Sequence, residues 1–236
     1  MIETETVKHY EDKNYVEMEG TLIKTFETGN AILLTVLTTT GRKHDQTTGI
    51  TVRVVDEELK DLVKALNVPS KIRVTGKLRT RQKTVFERII YDPVVYADTI
   101  ENPVSELEKQ FGLEGRSTGA SYNKIVLAGM VTKMTQINRN VIRAVIGIDD
   151  NSREKPVYIE TVLYARNNLK KLVSEMLVGN RVCLIAEYQS VEAGVKNPIL
   201  ANVKNGEVVA ANTDDISRKP KKVFYNNIVV QDIKEV

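Results

Sequence analysis

The sequence contains two copies of one pattern, about 110 residues apart. Residues 14–22 and 123–131 share an asparagine, an apolar alternation and a glycine, at an offset of 109 residues. Further along, one apolar helical face recurs at an offset of 110 residues. A repeat of this length predicts one structural unit built twice, so the chain of 236 residues predicts two similar folded units. The helical face consists of Leu59, Leu62, Val63 and Leu66 in the first copy and of Leu169, Leu172, Val173 and Met176 in the second.

Strand-like segments flank the helix in both copies. They are rich in β-branched residues or alternate between apolar and polar residues, and polar turns such as residues 41–49 separate them. Three strands, a helix and two strands form the element order of a five-stranded OB barrel. The predicted fold class is therefore mainly β, with two tandem OB-fold barrels and one helix between strands 3 and 4 of each. The strands are predicted at 14–22, 31–39, 50–55, 72–76 and 94–100, and again at 123–131, 141–148, 157–164, 182–186 and 228–233.

The repeat also predicts the domain organisation. Residues 1–100 form the first OB domain, residues 101–121 a linker with a short helix at 104–111, and residues 122–236 the second OB domain. The connection between strands four and five is much longer in the second copy, where it spans residues 189–222. That connection is one of those with which OB folds grip oligonucleotides.

Composition excludes several classes of protein. No apolar run approaches the roughly 20 residues of a membrane span, and the polar, acidic start is unlike a signal peptide, which predicts a cytoplasmic protein without membrane contact. The single Cys183 lies in an apolar strand-like stretch and is predicted to be a core residue. With two histidines and one cysteine, the usual zinc-ligand spacings are absent, so neither a metal nor a cofactor is predicted.

The positive charge is concentrated in two short segments, although the formal net charge is only +3. The first segment runs from Lys71 to Arg88 and contains Glu87 as its one acidic residue; the second lies at 218–222, next to Phe224 and Tyr225. Cations interleaved with aromatic residues are typical of single-strand binding, with charge for phosphates and ring faces for bases. A solvated hairpin is also rich in lysine, so that interpretation stays open.

The first basic segment resembles a known family. Residues 76–81, preceded by residues 70–74, resemble the glycine-then-basic hairpin of the bacterial single-stranded DNA-binding family. Residues 123–127 and 177–182 resemble its opening strand and its helix-to-strand turn. The resemblance implies sequence-independent binding of single-stranded DNA in replication, recombination or repair, and a homodimer with four barrels. The chain departs from the family in having no tryptophan, no acidic tail, and Lys83 where the hairpin aromatic stands.

The family stacks bases on aromatic residues of its third strand. The resemblance places these aromatic residues at Tyr158 and Tyr164. The two tyrosines are an even number of residues apart, so they are predicted to share one face of the strand. The alternative is that both tyrosines simply pack in a half-buried sheet. In the first copy, Thr51 and Arg53 take the corresponding face, which predicts more electrostatic binding there. The predicted nucleic-acid-binding residues are Arg53, Arg73, Lys77, Arg79, Arg81, Lys83, Phe86, Tyr158, Tyr164, Arg218, Lys219, Lys221 and Lys222.

Catalysis is not predicted. The adjacent aspartates at 149–150 and 214–215 lie in predicted turns, where aspartate is common for backbone reasons, and nucleophile–base or zinc motifs are absent. Two other functions stay open: an OB-fold interaction module that binds replication or recombination proteins, and an RNA binder.

Overall fold

The structure is a computed structural model that describes most of both copies of the repeat. It covers residues 11–40, 46–85, 88–102, 121–149, 155–164, 173, 176–193, 202–204, 207–209 and 223–235. We call residues 11–102 the first half and residues 121–235 the second half. The mainly β character predicted from the sequence is confirmed.

Strands dominate both halves. The first half contains β1 (Lys13–Thr28), β2 (Ala31–Thr40), β3 (Gln46–Val54), α1 (Glu57–Ala65), β4 (Ser70–Val85) and β5 (Arg88–Glu101). The second half contains β6 (Tyr122–Asn138), β7 (Val141–Ile148), β8 (Val157–Tyr164), β9 (Arg181–Ala193), β10 (Asn202–Lys204), β11 (Glu207–Val209) and β12 (Val223–Glu235).

The strands of each half pair in a cycle. In the first half β1 pairs with β2, β2 with β3, β3 with β5, β5 with β4, and β4 again with β1. In the second half β6, β7, β8, β12 and β9 pair in the same order, and β9 returns to β6. Only β3–β5 and β8–β12 are parallel among these pairings. Strand order and direction are thus the same in the two halves.

An antiparallel pairing of β1 with β6 joins the halves. At the centre of this ladder Val16 lies opposite Ile125, and these two residues are equivalent positions of the repeat. On either side of this point, Tyr15 faces Val126, the counterpart of Glu17, and Glu17 faces Lys124, the counterpart of Tyr15. The ladder therefore has the register of a two-fold symmetric interface, although both strands belong to one chain.

The asparagine that begins each copy extends the ladder with its side chain. Just beyond the end of the β1–β4 pairing, Asn14 Nδ2 donates to the carbonyl of Leu78 at 2.8 Å, and its Oδ1 accepts from the Leu78 N–H at 2.9 Å. In the second half Asn123 Oδ1 accepts from the N–H of Tyr188 at 2.6 Å, and its Nδ2 donates to Thr38 Oγ1 at 3.0 Å. Buried backbone groups that would otherwise lack partners are thereby satisfied.

The repeated glycine lies where two strands approach closely. A Cβ atom at Gly20 would stand 2.2 Å from the carbonyl oxygen of Leu37, and one at Gly129 would stand 2.3 Å from that of Gly147. Both contacts involve backbone atoms, which cannot rotate away. The close approach of β1 to β2, and of β6 to β7, therefore requires glycine at these positions.

The core follows the period of two along the strands. Val16 and Met18 in β1, and Ile125 and Leu127 in β6, are fully buried, whereas their strand neighbours are more exposed. Most of the buried hydrophobic residues of both halves belong to one hydrophobic cluster. Burial of each large aliphatic side chain contributes roughly 1.5–3 kcal/mol, so the inward faces account for the main stabilisation.

Helix α1 begins at a capped end and lies on the core. Asp56 Oδ1 accepts from the backbone N–H of Leu59 at 3.0 Å and satisfies one of the free donors of the first turn. Val63 is buried, and Leu59 and Leu66 pack against the core. Leu62 is exposed, which differs from the predicted apolar face. The side of this nine-residue helix that packs on the core is too narrow to bury all four predicted apolar residues, so Leu62 stays outside it.

Most of the predicted second helix lies outside the described residues. Leu169 and Leu172 are not described, whereas Val173 is helical and buried and Met176 is buried. The predicted linker helix at 104–111 also lies outside the described residues. The OB barrels and the domain boundaries stay predictions.

Several sequence predictions need correction. Strand β1 continues to Thr28 rather than ending at residue 22, and β9 continues to Ala193, so the long connection of the second half begins after residue 193 rather than at residue 189. Strand β3 begins at Gln46 rather than at residue 50, because Gln46–Gly49 pairs with the end of β2. Strand β4 continues to Val85 rather than ending at residue 76, so most of the first basic segment is strand, paired with β5. Cys183 is partly exposed because it alternates with the buried Val182 and Leu184 and faces outward. In the described part of the chain, helices are all too short or too polar to cross a membrane.

Candidate nucleic-acid interface

The predicted basic cluster lies on one face of β4. Ile72, Val74 and Leu78 point into the core and are fully buried. The residues that alternate with them point outward and are largely cationic. The outward cations are Lys71, Arg73, Lys77, Arg79 and Arg81.

A buried carboxylate engages the cations at the start of this strand. Glu19 Oε1 lies 2.7 Å from Lys71 Nζ, and its Oε2 accepts from Arg73 Nη2 at 2.8 Å. Burial would raise the pKa of Glu19, but the hydrogen bonds from the two cations outweigh it and hold that pKa below its ordinary value. Conversely, the hydrogen bond to Glu19 raises the pKa of Arg73. Lys71 and Arg73 are therefore already engaged in a structural ion-pair cluster with Glu19.

A tyrosine of the second half lies beside this cluster. The Tyr122 hydroxyl donates to Glu17 Oε1 at 2.6 Å. Burial and this hydrogen bond raise the pKa of Tyr122 to about 12. The hydroxyl thus stays protonated and links β6 to β1 at physiological pH.

Further along the same face, Tyr96 of β5 lies against two arginines. The guanidinium carbon of Arg79 is 4.7 Å from the ring centroid of Tyr96, and that of Arg53 is 5.7 Å from it. The three residues meet because β5 lies between β3 and β4. Arg53 Nη2 also donates to Asn30 Oδ1 at 2.9 Å. The guanidinium groups are thus held against the ring by cation–π contact.

These two arginines retain unused hydrogen-bonding capacity. Within the described residues, the buried Nε atoms of Arg53 and Arg79 have no hydrogen-bond partner. Arg81, two residues beyond Arg79, is exposed. The guanidinium groups of Arg53 and Arg79, together with the exposed Arg81, therefore form one basic surface around Tyr96. The sequence analysis did not identify Tyr96 as a site residue. The strand predicted at 94–100 contained no other candidate site residue, and the alternation along it shows only that Tyr96 faces outward.

Strand register defines a row of cross-strand neighbours on the outer face of each half. We call them the first row and the second row. The first row consists of Phe26, Leu33, Arg53, Tyr96 and Lys77. The second row consists of Thr135, Arg143, Val162, Val229 and Glu187.

The two tyrosines predicted to stack bases differ in exposure. Tyr158 is 54% exposed, and its ring lies beside Gly147, where a Cβ atom would approach Tyr158 Cε1 to 3.3 Å. Tyr164, at the end of β8, is half-buried. Val162 lies between them on the strand and is buried. The structure therefore presents Tyr158 openly to solvent, while Tyr164 lies beyond a covered stretch of the same strand.

Contacts between the halves bring β8 next to the basic strand. Thr80 Oγ1 donates to the backbone carbonyl of Tyr158 at 2.7 Å. Nearby, the hydroxyl of the buried Tyr188 donates to the carbonyl of Pro93 at 2.9 Å. Burial and the charge of Asp92 raise the pKa of Tyr188, so this donor stays neutral. The basic strand of one half and the exposed tyrosine of the other thus belong to one surface region.

Comparison with known proteins gives a fold relationship. No protein-family model matches the sequence, and no curated protein matches it. Among solved structures, the wild-type single-stranded DNA-binding protein from Thermus aquaticus has a TM-score of 0.62 and 14% identity, covering 96% of this chain and 94% of that chain. A deletion mutant of that protein has the same TM-score with 15% identity, covering 96% and 95%. The chain shares the fold of this DNA-binding protein.

The expected likeness to bacterial single-stranded DNA-binding proteins is thereby confirmed at the level of the fold, and it spans both halves. Several predicted site residues lie outside the part that the structure describes. These are Phe86, Arg218, Lys219, Lys221, Lys222 and the side chain of Lys83. Within the described ranges, no group of three or more metal-ligating side chains occurs.

Proposed function

We propose that the chain binds single-stranded DNA without strong sequence preference. The observation that carries this proposal is the contact of the Tyr96 ring with the guanidinium groups of Arg53 and Arg79, beside the cationic face of β4. Guanidinium groups bind phosphates, which carry no sequence information, and ring faces stack on any base. The shared fold with the Thermus protein, whose name states single-stranded DNA binding, supports the same function.

The proposal includes the architecture that positions this face. We propose that each half is a five-stranded OB barrel, with the domains at 1–100 and 122–236 and a linker at 101–121. The closed cycle of strand pairings in each half supports this assignment. OB barrels bind oligonucleotides on the outer face of strands two and three and in adjacent loops, which is where Arg53 lies.

We also propose a homodimer that acts in replication, recombination or repair in the cytoplasm. Tyr15, Val126 and Ile185 support a self-association surface, because these partly buried residues lie together on the outer face of β1, β6 and β9. Light scattering at micromolar concentration tests this. A mass of twice 26.5 kDa is expected, and the mass of one chain would exclude the dimer.

A competition assay tests the binding function. A labelled deoxythymidine oligonucleotide is bound first, and unlabelled single-stranded DNA, RNA and duplex DNA are then added in turn. We expect single-stranded DNA to displace the label best, irrespective of its sequence, and the affinity to fall as salt rises. Stronger displacement by RNA would identify an RNA binder. Absence of binding to every nucleic acid would favour the protein-interaction module.

A further inference from the structure

The first row ends at an aromatic residue that has no role in the core. Phe26 lies near the end of β1 and is 60% exposed. Its cross-strand neighbour is Leu33, whose neighbour on the other side is Arg53. Since the first row continues from Arg53 to Tyr96 and Lys77, Phe26 is aligned with the cation–π cluster on the same outer face.

The surroundings of Phe26 are basic and polar. Lys24, two residues earlier, is exposed on the same side of β1 and lies opposite Thr35 of β2. The turn that follows β1 contains Asn30, which accepts the hydrogen bond from Arg53. The β1–β2 hairpin is thus tied directly to the guanidinium group of the row. An isolated exposed phenylalanine needs no explanation, but one aligned with cations on a nucleic-acid face does.

We propose that Phe26 is a base-stacking platform for single-stranded DNA. This inference rests on the proposed function and adds a stacking residue to the half whose binding the sequence predicts to be more electrostatic. Neighbouring strands lie about 4.8 Å apart, so Phe26 and Arg53, two strands apart, are separated by about 10 Å. A strand whose phosphate contacts Arg53 therefore presents a nearby base to the Phe26 ring. The ring face supplies stacking and the row supplies charge.

The counterpart of Phe26 in the second half is Thr135, which lies opposite Arg143 in the second row. Threonine has no ring to stack on a base. The proposal therefore assigns this platform to the first half only.

The absence of tryptophan from the chain allows a direct test. Phe26→Trp introduces one tryptophan at the proposed platform, and Val178→Trp introduces one at a control position that is also 60% exposed. Both variants are titrated with a deoxythymidine oligonucleotide while tryptophan fluorescence is recorded. A second titration follows the anisotropy of the labelled oligonucleotide. We expect quenching of Phe26→Trp that saturates together with the anisotropy, and no quenching of Val178→Trp.

The variant Phe26→Leu measures what stacking contributes. Loss of one stacking platform corresponds to a decrease in affinity of about 5-fold or more, with an unchanged salt slope. Normal binding of DNA by Phe26→Leu, or binding by Phe26→Trp without quenching, would overturn the platform while leaving the proposed function intact. Failure of the wild-type chain to bind the oligonucleotide would overturn both. Circular dichroism confirms that the variants are folded.

Discussion

The two halves have the same strand pairing but different chemistry on their outer faces. Where the first row has Lys77, the second row has Glu187. Where the first row has the Tyr96 ring, the second row has Val229. The first row thus has two cations and two rings, whereas the charges of the second row cancel and it contains no ring. The shared backbone supports two different surfaces, and the residues that differ favour the first row as the proposed nucleic-acid surface.

The second half contributes aromatic character at another place. Tyr158 stands at the counterpart of Gly49 and is exposed next to β4 of the first half. Its neighbour Glu160 lies 3.5 Å from Arg143, so the one cation of the second row already has an acidic partner. The two outer faces therefore differ in kind. The first half combines cations with the rings of Phe26 and Tyr96, whereas the second half exposes the ring of Tyr158 where the nearby charges cancel.

The largest expected effect concerns the shared backbone. Gly20→Ala and Gly129→Ala each place a Cβ atom within 2.3 Å of a carbonyl oxygen, so we expect each to lower the free energy of unfolding by about 3 kcal/mol. Urea denaturation measures the loss. Gly29→Ala is the control, because its Cβ atom would meet nothing within 4 Å. Tolerance of one substitution but not the other would show that the halves differ in backbone as well as in surface.

The next effect tests where the charge contributes. We expect Arg79→Ala combined with Arg81→Ala to lower the affinity for single-stranded DNA by about tenfold or more, because charged hydrogen bonds to phosphates are lost. The salt slope should decrease by roughly 0.7 for each phosphate contact removed. Titrations at several salt concentrations measure both quantities.

The matched control for this double variant is Arg143→Ala in the second row, where Glu160 already engages the arginine. Its affinity and salt slope should stay close to those of the wild type. An equal loss in both variants would extend the DNA path from the basic face of β4 to the second row and remove the proposed contrast between the halves.

A third effect concerns the tyrosines of the second half. Tyr158→Leu should weaken binding by roughly 1–3 kcal/mol without changing the salt slope, because a ring is lost and no charge is removed. Its melting temperature should stay unchanged, since the side chain is largely exposed. Tyr164→Leu should cost less affinity and more stability because that residue is half-buried. Normal affinity of Tyr158→Leu with lowered stability would end the stacking assignment.

The smallest effect is a pH dependence of stability at the start of β4, where Glu19 pairs with Lys71 and Arg73. Glu19→Gln should lower the free energy of unfolding by about 1 kcal/mol at neutral pH, because Lys71 and Arg73 lose their carboxylate partner. Since the pKa of Glu19 is below its ordinary value, the stabilisation is present above that ordinary value and is lost as pH falls through the folded pKa. Denaturation curves of both proteins from pH 7 to pH 3 should therefore converge. A constant difference over this range would show that the ion pairs do not provide the stability.

Local patterns predicted the elements of this fold well, because strand alternation and helical spacing are properties of neighbouring residues. The repeated Asn14 was recognised as part of a strand, but its hydrogen bonds to Leu78 could not be, since they depend on where β1 leaves β4. The first basic segment was identified because its charge is local in the sequence, but its continuation as a strand to Val85 was not, since that depends on pairing with β5. Phe26 and Tyr96 were not found as site residues, because their alignment with Arg53 depends on the register of distant strands.

The two-fold register of the β1–β6 ladder has a consequence for how such a chain can evolve. In a symmetric homodimer every substitution near the axis occurs on both sides at once. Here each side is encoded separately, so Glu17 lies opposite Lys124 on one side of the axis, while Tyr15 lies opposite Val126 at the equivalent place on the other. One side has acquired an oppositely charged pair and the other an apolar pair. A duplicated gene can thus give the two sides of one interface different roles, and each half a fixed place in the molecule.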